Sequence, residues 1–161
     1  MDRGKIALKL FLDELGIPFD IETLDDRKRV QKAVYLGQLS GVDLGYRFGW
    51  YIMGPYCPAL TRDCFSLAEA LGSDDTDWKG KTLKAAAKER LAVISPLLPV
   101  PENIGLGEED WLELVASVHF LRTVSKLNDE DLNKTLKREK PHLHPFLSSA
   151  KDILTANGRW S

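Results

Sequence analysis

RKRVQKAVYLGQ (Arg27–Gln38), with FGWYIMGPYCPAL (Phe48–Leu60) shortly after it, is the stretch on which the fold turns. In the first segment Val30, Ala33, Val34 and Gly37 recur at i, i+3, i+4 and i+7, the spacing of a buried helical face. Tyr35 and Leu36 widen that stripe, and the basic residues are expected outside it. In the second segment the period changes to two. Tyr46, Phe48, Trp50 and Ile52 alternate with Arg47, Gly49, Tyr51 and Met53, so a short strand is predicted, with a brief partner or none. Gly54-Pro55 is expected to end that strand, and Pro58 suits the first turn of a further helix. That helix, 58–71, carries Leu60, Cys64, Leu67, Ala68 and Leu71 on one side and stops at Gly72.

On the N-terminal side, residues 4–15 place Ile6, Leu8, Leu10, Phe11, Leu12 and Leu15 on a broad apolar face opposite Lys5, Lys9 and Asp13. Gly16 and Pro18 stop this helix. Asp13 and Glu14 interrupt its apolar run and no cleavage site follows, so it reads as a helix and not as a signal peptide. Asp25 and Asp26 announce the next helix by capping its positive end. On the C-terminal side, Ser73–Asp77 is a polar loop, and Trp78–Leu98 is expected to hold a longer helix that reaches Val93–Ile94 before Pro96 closes it. PLLPVPENIGLG (Pro96–Gly107) holds three prolines and two glycines and is the one candidate linker. Glu108–Asp110 opens a helix whose apolar body is WLELVASVHFL (Trp111–Leu121). Asn128 caps Asp129–Lys140, and Pro145–Ala156 forms a terminal helix.

The 161 residues fit one domain, expected as lobes 1–95 and 108–156 joined by 96–107. The expected fold is mostly α, a multi-helix bundle with a small β element of one or two short strands. A winged-helix-like N-terminal half is the variant of that reading. A net charge of −2 argues against a surface built wholesale for nucleic acid, while a local basic face stays open. No apolar stretch approaches the ~18 residues of a membrane span. Two cysteines, Cys57 and Cys64, imply no disulfide framework, so a reducing cytoplasm is the expected location.

Arg27, Lys28, Arg29 and Lys32 put four cations in six residues. Like charges at helical i, i+4 spacing repel by about a few tenths of a kcal/mol, so something must offset them. Phosphate, an acidic protein surface, or nearby Glu22, Asp25 and Asp26 would each serve. Further basic sets are Lys79, Lys81, Lys84, Lys88 and Arg90, and Lys134, Lys137, Arg138 and Lys140. Tyr46, Phe48, Trp50, Tyr51 and Tyr56 make either a recognition surface or a lid on the helical core. Phe48 and Trp50 are assigned to the core, and Tyr51 and Tyr56 are left between the two. His142 and His144 lie at a proline break, between Pro141 and Pro145, with no acid or cysteine at ligand spacing, so no metal is expected. Cys57 and Cys64 read as small buried hydrophobes. No nucleophile elbow, phosphate loop, HExxH or paired-carboxylate motif appears, so neither catalysis nor a cofactor is expected.

RKRVQKAVYLGQ resembles the [KR]-[KR]-x-Q-K-x-x-Y-L helix of the YwgA-like family of small bacterial proteins. YIMGPYCPALTRDCFSLAEAL resembles that family's Y-x-x-x-G-P-Y-S-x-x-L segment and the helix after it. WLELVASVHFL and KREKPHLHPFLSSAKDIL are similar to its C-terminal half, so the likeness spans most of 23–155. A more distant similarity is to the Panacea-type antitoxin domain, with its Lys-Leu-Gln-Lys helix and Tyr-Gly-Pro turn. The resemblance implies a helical fold with a small β element, a bacterial or phage origin, and a place in defence or toxin–antitoxin operons. The YwgA-like family has no established activity, and antitoxin-like domains grip a partner protein. Carried over by motif, Gln31, Lys32, Tyr35, Gly54, Pro55 and Tyr56 are the positions to test. Gln31 and Tyr35 are expected to support the Gly54-Pro55 turn. After Leu71 the chain departs from the pattern, where relatives continue into a wing-like strand.

The functional expectation is a non-enzymatic domain binding a protein partner, encoded in the same operon. Its surface would combine Arg27, Lys28, Gln31, Lys32 and Tyr35 with Tyr51 and Tyr56. The alternative is nucleic-acid binding, with Arg27, Lys28, Arg29, Lys32, Lys81, Lys84 and Lys88 on phosphates and Tyr51 or Tyr56 stacking on bases.

Overall fold

A computed structural model describes residues 1–161. Seven α-helices surround one two-stranded antiparallel sheet: α1 (Arg3–Glu14), α2 (Leu24–Gln38), β1 (Gly49–Tyr51), β2 (Gly54–Tyr56), α3 (Pro58–Gly72), α4 (Ala85–Ile94), α5 (Glu108–His119), α6 (Asp129–Glu139) and α7 (Leu147–Ala156). The mostly helical bundle with a small β element is thus the observed architecture. The strands lie between α2 and α3 and pair only with each other, and no strand follows α3, so the N-terminal half has no wing behind it.

The bundle is built around α5. Every residue from Trp111 to Leu121 is buried, the pattern of a helix surrounded on all sides. Trp111 is fully enclosed and donates its indole N–H to the Leu97 carbonyl at 3.0 Å. The helix leaves its regular course in a π turn at Phe120–Val124. α2 packs along it with Val30, Ala33, Val34 and Leu36 inside. α1 crosses α2 where Gly37 meets Phe11 and Leu15 so closely that no side chain fits. The buried apolar residues form one continuous cluster from Leu8 to Leu154 that includes Leu97 and Leu98, so the core runs through the Pro/Gly-rich segment 96–107 instead of stopping on either side.

Several boundaries differ from expectation. α2 is capped by Thr23 and not by Asp25 or Asp26. The Thr23 hydroxyl accepts from Asp26 N–H, and the Asp26 carboxylate accepts from Thr23 N–H, a reciprocal capping box that captures two otherwise unpaired donors. The helix expected from Trp78 ends at Ile94 as the position of Pro96 predicts, but it starts late. Gly80 takes a left-handed φ of 76°, α4 begins only at Ala85, and Ser95–Leu97 is a 3₁₀ turn forced by Pro96. The terminal helix likewise starts at Leu147, after a 3₁₀ turn at His144–Phe146.

Gly54-Pro55 does not end the β element; it forms its second strand. Gly49 faces Tyr56, Trp50 faces Pro55 and Tyr51 faces Gly54, which leaves Ile52 and Met53 as the turn. Gly54 follows that turn with φ 85°, a conformation that non-glycine residues adopt only at a cost. A Cβ there would also lie 2.5 Å from the buried Ser117 hydroxyl of α5. Gly54→Ala is therefore expected to destabilise the protein by roughly 1–3 kcal/mol, read as a lowered urea midpoint; an unchanged midpoint would refute the requirement.

Candidate functional site

The basic helix does not keep its charges outside. Lys28 and Lys32 are buried, and Lys32 is only 1% exposed. Their helix lies against α5, whose acids offset part of the clustered charge. Lys28 Nζ is 3.0 Å from Asp110 Oδ1 and 2.9 Å from Glu113 Oε1. Arg29 pairs with Asp26 at 2.8 Å and approaches Glu108 at 3.6 Å. Arg27 donates to the Ile21 and Glu22 carbonyls at 2.9 and 3.4 Å. A third buried lysine, Lys140 at the end of α6, reaches the other oxygen of Glu113 at 2.8 Å.

These ammonium groups also hold the hairpin. Lys32 Nζ donates to the Pro55 carbonyl at 2.6 Å and Lys140 Nζ donates to the Ile52 carbonyl at 2.7 Å. Lys140 further lies 5.4 Å from the centre of the Trp50 ring, a cation–π contact. The two glutamines of α2, seven residues apart on one face, complete the attachment. The Gln31 amide pairs with the Cys57 backbone in both directions, accepting from its N–H at 3.0 Å and donating to its carbonyl at 2.9 Å. Gln38 donates to the Tyr46 carbonyl at 3.0 Å and accepts from the N–H groups of Leu44 and Tyr46. Gln31 is thus a support of the Gly54–Cys57 segment. Tyr35 instead bonds His119 Nδ1 at 2.7 Å inside the core, with Phe48 packed edge-on to its ring.

Burial sets the titration of these groups. Desolvation opposes the charge on Lys28, yet its bonds to Glu113 and Asp110 outweigh that and leave its pKa raised. Lys32 lacks such a partner. Burial, reinforced by Lys140 and Lys28 and only partly countered by Glu113, lowers its pKa to about 7. His119 is lowered to about 4 by burial, with Arg159 adding to the effect, so it is neutral opposite the Tyr35 hydroxyl. Burial pushes the Cys64 thiol up to about 12, consistent with an inert core side chain, and Cys57 is buried as well.

Above Lys28, Gln31 and Lys32 opens a cleft of about 140 Å³, smaller than the sites that enclose drug-sized ligands. Leu24 and Arg27 of α2, Met53 and Tyr56 of the hairpin, and Thr61 and Phe65 of α3 complete its wall. Its rim is apolar and exposed: Leu24, Tyr51, Met53 and Phe65 each show a third or more of their surface, and Ile52 at the hairpin tip is 93% exposed. Tyr51 and Tyr56 meet edge to face with ring centres 5.2 Å apart.

The expected surface residues therefore separate into two groups. Tyr56 lines the cleft with Arg27, and Tyr51 stands outside it against the Tyr56 ring. Gln31 and Lys32 are buried beneath the surface in the floor of the cleft, and Tyr35 lies in the core, so none of the three forms the outer face. Lys28 is taken up by its two acids, Lys32 meets solvent only at the cleft floor and not on the outer helix face, and Arg27 and Arg29 are also engaged, so the four do not form an exposed phosphate-contacting row. Lys81, Lys84 and Lys88 are exposed on and before α4, but none lines the cleft. Phe48 and Trp50 are half-buried against the core as assigned. His142 and His144 diverge: His144 bonds Asn133 at 2.7 Å, while His142 comes within 4.8 Å of Asp110 and Glu113. Both carboxylates there already hold ammonium groups, so the arrangement is that of an ion-pair network. Glu113, Lys140 and Gln38 are the residues that sequence reading missed. A lone acid within WLELVASVHFL was the available signal, since a charge on a buried helix must have a partner.

No family model matches the chain, and no curated protein or solved structure shows significant similarity to it.

Glu113→Gln leaves three buried lysines with one carboxylate, and is expected to destabilise the fold by about 3–5 kcal/mol in urea melts. A loss under about 1 kcal/mol would show that the network is dispensable. Lys32 gives a pH signature. Its folded pKa near 7 lies below the ordinary 10.5, so between them the unfolded chain holds the extra proton and stability rises with pH. The stability difference between wild type and Lys32→Met should change steadily across that window in the wild type's favour; a flat difference would contradict the depressed titration.

Proposed function

We propose that this chain is a non-catalytic interaction domain that grips a protein partner through the exposed hairpin tip and the cleft beside it. The observation that carries this reading is the exposure of Ile52 on a turn whose own carbonyl is held from below by the buried Lys140. An exposed apolar side chain on a braced backbone binds without the entropic cost of ordering a loop. Leu24, Tyr51, Met53 and Phe65 extend the apolar area around it, and aromatic anchors next to a concave floor are common at binding hot spots. The setting, a bacterial or phage defence or toxin–antitoxin system with the partner encoded alongside, rests on the resemblance to YwgA-like and Panacea-type proteins. Nucleic-acid binding by the Arg27–Lys32 cluster is the weaker reading, because its cations are engaged with the protein's own acids and carbonyls.

The test is capture of partners by the tagged protein from its native host after nuclease treatment, followed by titration of any stoichiometric protein recovered. Ile52→Asp is expected to weaken that complex by about 1–2 kcal/mol or more without altering the melting temperature, and Tyr56→Ala to weaken it comparably. Undiminished affinity in Ile52→Asp would remove this surface from the interface, and recovery of nucleic acid alone would overturn the reading.

A further inference from the structure

The floor of the cleft carries a charge imbalance that the fold itself does not correct. Lys28, Lys32 and Lys140 are three buried cations, and the acids paired with them are two, Asp110 and Glu113. Both Glu113 oxygens are taken, one by Lys28 and one by Lys140. Lys32 is left with a single hydrogen bond, to the Pro55 carbonyl, although an ammonium group has three hydrogens to donate. A buried cation without a counter-charge is costly, and this one borders an open cleft instead of closed core.

A second feature points to the same place. The Gln31 amide donates to the Thr61 hydroxyl at 2.9 Å, and Thr61 donates to the Tyr56 hydroxyl at 2.7 Å. This ordered relay leaves the Tyr56 O–H hydrogen for a further acceptor, and Tyr56 lines the cleft beside Lys32. The floor of the cleft therefore offers, at Lys32, a positive charge with no paired acid, beside one hydroxyl donor and an apolar rim. A single negative charge matches it. The one guanidinium on the wall, Arg27, adds a further positive charge, and its N–H groups are held by the Ile21 and Glu22 carbonyls.

We propose that the floor of this cleft at Lys32 and Tyr56 is a carboxylate receptor, which takes an Asp or Glu side chain adjacent to an apolar residue in the bound segment of a partner protein. The inference rests on the partner-binding reading and names the chemistry of what is bound. The carboxylate neutralises the excess charge while the neighbouring apolar side chain covers Met53 and Phe65. Its binding is linked to pH through Lys32, whose pKa near 7 rises when the counter-charge arrives. The groups facing Lys32 are Lys28 on its own helix, Glu113 on α5 and Lys140 at the end of α6. The hairpin adds only the Tyr56 hydroxyl.

The experiment compares two capped dipeptides, N-acetyl-Leu-Glu-amide and its neutral counterpart N-acetyl-Leu-Gln-amide, titrated into the full chain and followed by NMR. The glutamate peptide is expected to bind roughly tenfold more tightly near pH 6, the worth of one charge-assisted hydrogen bond. That preference should shrink as pH rises through 7 towards 9, fall in Tyr56→Phe and vanish in Lys32→Met. Equal affinities, binding by neither peptide, or a preference that persists in folded Lys32→Met would overturn the proposal. If Lys32→Met does not fold, the wild-type pH profile and Tyr56→Phe decide. Because these titrations involve no partner, they separate the two readings: a failed peptide preference beside an Ile52-dependent complex removes only the receptor, and the reverse removes only the proposed partner surface.

Discussion

Glu113 stands between two helical layers and the hairpin as the one fully buried carboxylate among three buried lysines. Each of its oxygens takes an ammonium group from a different part of the chain, Lys28 from α2 and Lys140 from the end of α6. A buried ion pair gains little net stability over apolar packing, because desolvation consumes most of the attraction. What it does here is set positions. Lys140, fixed by Glu113, holds the Ile52 carbonyl; Lys32, aligned on the same face of α2 as Lys28, holds the Pro55 carbonyl. Two strands of three residues each could not persist alone, since an isolated hairpin is marginal in water. Their order comes from beneath.

The same arrangement explains why the most specific residues of the chain lie inside. Gln31 forms with the Cys57 backbone the pair of hydrogen bonds that a neighbouring strand would otherwise make, and Gln38 does similar work at Tyr46. Ser117 and Gly54 meet so closely that α5 and β2 can touch only without a side chain between them. The helix–strand–turn block is thus a support that presents Tyr51, Ile52 and Met53 outward. No helix is long and apolar enough to cross a membrane.

Much of the site was visible in the residues, but with its polarity reversed. Tyr51, Tyr56 and the Gly54-Pro55 pair were identifiable because turn residues and aromatic alternation are local signals. The burial of Lys28 and Lys32 was not. A basic run on a helix is ordinarily solvated, and its partners Asp110 and Glu113 lie more than 80 residues along the chain. Gln38, Lys140 and Glu113 gave no motif because each contributes a single side chain to a network whose members are far apart in sequence. Trp78–Leu98 illustrates the opposite error: its alanines and lysines have helical propensity, but Gly80 and the absence of a buried face before Leu83 leave the first part irregular.

By itself the sequence determined the helical class, the approximate place of the helices, the position of the β element and the burial of both cysteines. Each of these follows from periodicity, capping and turn chemistry, which act over a few residues. Tertiary structure alone decided that Gly54-Pro55 is a strand and not a stop, that α5 is the centre of the bundle, and that two of the four clustered cations face inward. Those outcomes depend on which carboxylate and which carbonyl meet each ammonium group. That is set by packing between distant segments, where the cost of burying an unpaired charge outweighs any local preference.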